Sequence, residues 1–139
     1  MIELALQAVR RGGLAPAAVF ILHVVLTALR AYDHVPAADV PMHVGGGFAI
    51  ASFFWRGLAL LQERGLAGRN VFPVDALFVL GLTGTAAVVW ELYEFTIDAL
   101  GWLEAQNGLA DTMADLVLGM LGGAAFLAFR RWRSASDRA

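Results

Sequence analysis

A chain of 139 residues that is 59% hydrophobic and only 16% charged is too apolar for a soluble domain, in which roughly 25% of residues are charged. Its mean hydropathy of +0.66 points to a bilayer. A formal net charge of −2 gives no footing for nucleic acid, and the absence of cysteine excludes disulfides and thiolate metal sites.

The N-terminal MIELALQAVRRGG sets Ile2, Leu6 and Val9 at helical spacing, which predicts a short interfacial amphipathic helix over 1–13. Arg10-Arg11 ahead of an apolar run also fits a signal peptide, but no small-x-small cleavage site follows Leu29. Four stretches are then long enough to span a hydrocarbon core, which takes about 20 residues. They run from Leu14 to Tyr32, from Met42 to Leu61, from Val74 to Asp98, and from Asp111 to the Arg130-Arg131 pair. Pro41 and Pro73 stand near the starts of the second and third, where first-turn prolines belong.

The expected fold is therefore an all-α integral membrane protein. Four transmembrane helices over 14–132 follow the interfacial helix and precede a cytoplasmic tail over 133–139. Arg10, Arg11, Arg64, Arg69, Arg130, Arg131, Arg133 and Arg138 all fall on one side of this arrangement, whereas the other two connections contain no Arg. By the positive-inside rule both termini are expected to be cytoplasmic.

Helical spacing assigns the polar residues to faces. His23, Thr27, Arg30 and His34 form one stripe; Asp39, His43 and Gly47 share a second. Glu91, Glu94 and Asp98 continue through Ala87 and Gly84, and Asp111 and Asp115 continue through Gly119 and Gly122. Small residues mark close approach of membrane helices, so the carboxylates are expected to face the bundle interior. Arg30, His43, Glu91, Glu94, Asp111 and Asp115 all fall within about two turns of the same end, given roughly 1.5 Å of rise per residue.

Each residue has a simpler reading. Asp111 suits an N-cap at the positive end of a helix dipole. Asp39 has a similar reading, while Asp33, Asp98 and Glu104 read as solvated. Glu91 and Glu94 resist dismissal, because they stand at a helix C-terminus where the dipole disfavours anions. An ionisable group at a helix centre costs roughly 3 kcal/mol on insertion scales. Arg30 offers an ion pair to Glu91 or Glu94, but one Arg cannot neutralise Glu91, Glu94 and Asp115 together. His23, deeper than Arg30, reads as an interhelical hydrogen-bonding group. Arg56 reads as a snorkelling side chain.

Three segments resemble a known family: His43-Val44-Gly45-Gly46-Gly47, Trp90-Glu91-Leu92-Tyr93-Glu94 with Asp98, and Gly108 to Leu116 with its Asp111-Thr112-Met113-Ala114-Asp115 core. Together they are similar to the YjdF-like bacterial inner-membrane proteins, and more distantly to the VanZ-like group. The resemblance implies a site on His43, Glu91, Glu94, Asp111 and Asp115, and brings no settled activity. Typical YjdF-like members are longer and carry more spans.

The expected site is a divalent-metal site (Mg²⁺, Mn²⁺ or Zn²⁺) on those five residues, supported by Arg30, Asp39, His23 and Asp98. Its expected chemistry acts on a membrane lipid head group or a lipid-linked cell-envelope precursor. Two alternatives stand beside it. One is a non-catalytic accessory or assembly subunit, as a homo-oligomer or within a larger membrane complex. The other is proton- or ion-coupled transport, disfavoured because few polar residues continue below His23 and Gly84.

Overall fold

The computed structural model describes residues 2–102 and 108–137, which are helical almost throughout, with no strand among them. The elements are α1 (Ile2–Gly12), α2 (Leu14–Ala28), α3 (Ala31–His34), a 3₁₀ turn over Pro36–Ala38, α4 (Asp39–Glu63), α5 (Phe72–Ala99) and α6 (Leu109–Ser136). Glu104 and Arg138 lie outside the described residues.

The candidate spans containing α4, α5 and α6 are each long and apolar enough to cross a membrane. Helices α1 and α2 meet at a 70° bend, and the count becomes four if that pair is one broken span. Alone, the 15 residues of α2 rise about 22 Å, short of a hydrocarbon core of about 30 Å.

One expectation changes here. The span from Leu14 to Tyr32 is not one helix: α2 stops at Ala28, and Arg30 takes a left-handed conformation at φ 54° before α3 begins. The backbone N–H of Arg30 donates to the Thr27 carbonyl at 2.9 Å, closing α2. Helix α6 continues past the arginine pair to Ser136, with Asp137 as its cap residue.

The chain is arranged inside out relative to a water-soluble domain. Asp75, Thr83, Glu91, Glu94 and Asp115 are buried, while Phe20, Ile21, Leu77, Val89, Leu92 and Leu121 are exposed. Exposed apolar surface on this scale belongs against lipid or a partner. Buried polar groups belong where protein can answer them.

Helices α4 and α6 make the tightest pair, α5 packs on both, and α1 and α2 lie against α4. The α4–α6 contact is backbone on backbone. A Cβ at Gly47 would run into the Gly119 carbonyl, and one at Gly122 into the Val44 carbonyl and the Phe48 amide. Below it, Ala51, Leu58, Val79, Phe126 and Leu127 form the apolar core.

The arginine-rich end has its own clasps. Arg11 pairs with Glu63, Arg64 donates to Gln7, and Arg56 donates to the Arg11 carbonyl at 2.7 Å, which ties α1 to the end of α4. Buried Asp75 receives the Gln62 amide at 3.1 and 3.2 Å and the Asn70 amide at 3.1 Å, holding the α4–α5 connection. Asp75→Ala is expected to lower stability by about 2 kcal/mol, since hydrogen bonds to a charged group contribute about 1.5–3 kcal/mol. Unfolding in detergent measures this, and Asp75→Asn should lose less.

Candidate metal centre

Three helices deliver the polar cluster, each by helical spacing. Asp39 and His43 are four apart in the first turns of α4, and Glu91 and Glu94 are three apart near the end of α5. Asp115 stands two turns into α6. Because α4 and α6 touch through Gly47 and Gly119, each one turn further along its helix, His43 and Asp115 are brought face to face.

His43 Nε2 lies 3.3 Å from Asp39 Oδ1 and 3.6 Å from Asp115 Oδ1. Asp39, His43 and Asp115 form one triad whose potential ligand atoms all lie within 4.8 Å of one another; His43, Glu91 and Glu94 form a second on the same criterion. Glu91, Glu94 and Asp115 are only 6%, 8% and 5% exposed, so these are interior carboxylates rather than a solvated acidic face.

The shared histidine decides what the cluster can do. One imidazole with carboxylates is a donor set for Zn²⁺ or Mn²⁺, whereas Mg²⁺ prefers oxygen and retains several waters. Tetrahedral angles with bonds of about 2.0–2.2 Å place ligand atoms roughly 3.3–3.6 Å apart, and the two His43–Asp separations are 3.3 and 3.6 Å.

The sequence-derived candidates divide. His43, Glu91, Glu94 and Asp115 come together, and Asp39, expected only in support, completes the first triad. Its four-residue spacing to His43 was the signal for that. Asp111 belongs to neither triad: α6 begins at Leu109 with Gly108 as its cap residue, so Asp111 lies within the first turn rather than at the cap. Asp98 is half-buried, one turn beyond Glu94, and also lies outside both.

Arg30 departs furthest from expectation. Its side chain is 80% exposed, and its Nε donates to Asp33 Oδ2 at 2.7 Å instead of reaching Glu91 or Glu94. The left-handed turn after α2 carries it off the stripe. His23 stays on the inner face, with Nδ1 3.1 Å from the Tyr32 hydroxyl and its ring edge-on to Trp90 at 4.9 Å. Tyr32 carried no sequence signal, since its approach depends on the turn at Arg30.

Residues 13–135 match the model of a family described as "Predicted membrane protein (DUF2238)". A Thermotoga maritima protein named "Uncharacterized protein" is 33% identical over 105 residues, covering 75% of this chain and 53% of that protein. The chain thus spans about half the length of that relative. No solved structure matches. The YjdF-like family is this same family, whereas the more distant VanZ-like likeness gains no support from these comparisons. The chain belongs to the YjdF-like family of predicted membrane proteins, DUF2238.

Proposed function

We propose that this is a four-span protein of a bacterial inner membrane, with both termini cytoplasmic, that holds a divalent cation at the outer end of its bundle. The cation, Zn²⁺ or Mn²⁺ ahead of Mg²⁺, is bound through His43 with Asp39 and Asp115, with Glu91 and Glu94 on its other side. Its role is to polarise or hydrolyse a lipid head group or lipid-linked cell-envelope precursor. The convergence of two metal-competent triads on one half-buried histidine carries this reading. The nucleophile would be a metal-activated water.

The test is elemental analysis of detergent-purified protein after incubation with each ion, beside Glu91→Gln and Asp115→Asn. Near-stoichiometric metal is expected in the wild type. Loss only in Asp115→Asn assigns it to the Asp39 triad, and loss only in Glu91→Gln to the glutamates. Loss in both means that the triads act as one site. A wild type that takes up no ion refutes the proposal.

The Nε2 distances of His43 to Asp39 and Asp115 also favour a second reading, in which a protonated His43 pairs with both aspartates to fix helix register in an accessory subunit. That reading predicts no metal, and loss of assembly when the aspartates are neutralised.

A further inference from the structure

A cavity of about 400 Å³ lies between α2 and the α4–α5–α6 trio. Val19, Phe20, Ile50 and Ala87 supply apolar walls, and His23, His43 and Trp90 line it as well. We propose that this cavity holds one hydrocarbon chain of a membrane lipid whose polar head sits at the His43 cluster, with Gly46 setting the room available. The assignment of a head group to that cluster rests on the function proposed above; the chain site rests on the cavity.

The cavity exists because particular side chains are missing. Gly47 and Gly122 lack a Cβ where two backbones touch, so their smallness is consumed by packing. Gly46 differs: a Cβ there would meet only Val19 Cγ1, at 4.0 Å. Its smallness leaves space rather than contact.

Water is a poor occupant. A buried water needs two to four polar partners, and the walls below His43 are carbon almost throughout. Within a membrane-spanning bundle, the medium available to fill such a space is hydrocarbon.

Direction selects a lipid chain over an unanchored apolar molecule. From His43 to Ile50 the lining of α4 advances about 10 Å by helix rise, from the polar end toward the centre of a helix that runs from Asp39 to Glu63. A lipid in the adjacent leaflet presents head and chain in that same order. His43 belongs both to the cavity lining and to both triads, so a chain seated there brings its head group to the polar cluster.

The test uses the full chain in phosphatidylglycerol nanodiscs containing a tracer phosphatidylglycerol with a mid-chain diazirine, with adducts mapped by mass spectrometry. Adducts are expected to concentrate at Val19 and Ile50, which are half-buried, over lipid-facing Leu77 and Val88. In Gly46→Trp they should fall at least about tenfold, because a filled cavity leaves no room for a chain, while Leu77 and Val88 stay labelled. Ile50→Trp fills the same space from one turn further and guards against misfolding of the first variant. Cavity labelling no stronger than at Leu77, or unchanged in both variants, overturns the proposal. So does crosslinking of the cavity to a second polypeptide. Metal content is read on the same samples: labelling sensitive to Gly46 in a protein without metal leaves the chain site standing and removes the metal function. Metal without cavity labelling does the reverse.

Discussion

A His43→Ala protein is expected to lose divalent-metal affinity by at least about 100-fold, beyond the ~10–100-fold that loss of an outer-shell partner costs. The reason is topological. Every other group in the cluster belongs to one triad, whereas His43 belongs to both. Removing it deletes the one nitrogen donor and leaves Asp39, Asp115, Glu91 and Glu94 around a space that a hydrated ion can fill only through oxygen. Isothermal titration with Zn²⁺ and Mn²⁺ measures the loss. Affinity should also fall as the solution is acidified, since the imidazole and carboxylates must be deprotonated to bind. An affinity within threefold of wild type would exclude His43 as a ligand, on the order-of-magnitude scale of ligand loss. The ion-pair reading makes a different forecast for the same variant. The metal-free protein would lose about 3 kcal/mol, the low end of the range for a broken buried pair, because buried Asp115 would lose its partner while the half-buried Asp39 keeps access to water.

Gly47→Ala should be, with Gly122→Ala, among the most damaging single-methyl changes. The added Cβ would meet the carbonyl oxygen, carbonyl carbon and Cα of Gly119, none of which can rotate away as a side chain can. Overpacking in a close-packed interior costs about 1–3 kcal/mol, and a backbone-on-backbone collision belongs at the top of that range. The consequence reaches the site as well as the fold. Forcing α4 from α6 at this point widens the gap between His43 and Asp115, one turn away, so metal binding should weaken alongside stability. Gly45→Ala is the control. A Cβ there meets nothing within 4 Å, and Ala in a helix interior is favoured over Gly by roughly 0.5–1 kcal/mol. Melting of both variants in one detergent should separate them by more than 2 kcal/mol, on the sum of those approximate effects. Equal stability would mean that the α4–α6 contact does not govern the bundle.

Much of this molecule was legible in one dimension. Apolar run lengths against the thickness of a bilayer located α4, α5 and α6, because a membrane helix must satisfy its own backbone and so declares itself by length and hydropathy. Spacing of three and four placed Asp39 with His43 and Glu91 with Glu94, because a single helix determines which of its own residues share a face. It also placed Gly47 and Gly119 beneath the polar groups. What spacing within a helix cannot supply is the rotation and offset of one helix against another. Those were decided by the backbone contact of Gly47 with Gly119, which set His43 against Asp115, admitted Asp39 to the first triad and left Asp111 a turn outside both. Nor can periodicity foresee its own interruption. The left-handed residue at Arg30 broke the stripe from His23 to His34, sent the guanidinium to Asp33 and brought Tyr32 to His23. The sequence by itself determined the membrane class, the long helices and the chemistry each could offer, since these depend on local pattern and the bilayer. Only the tertiary structure decided which carboxylates share one histidine and where a cavity opens beside it, since both depend on how helices distant in sequence come into contact.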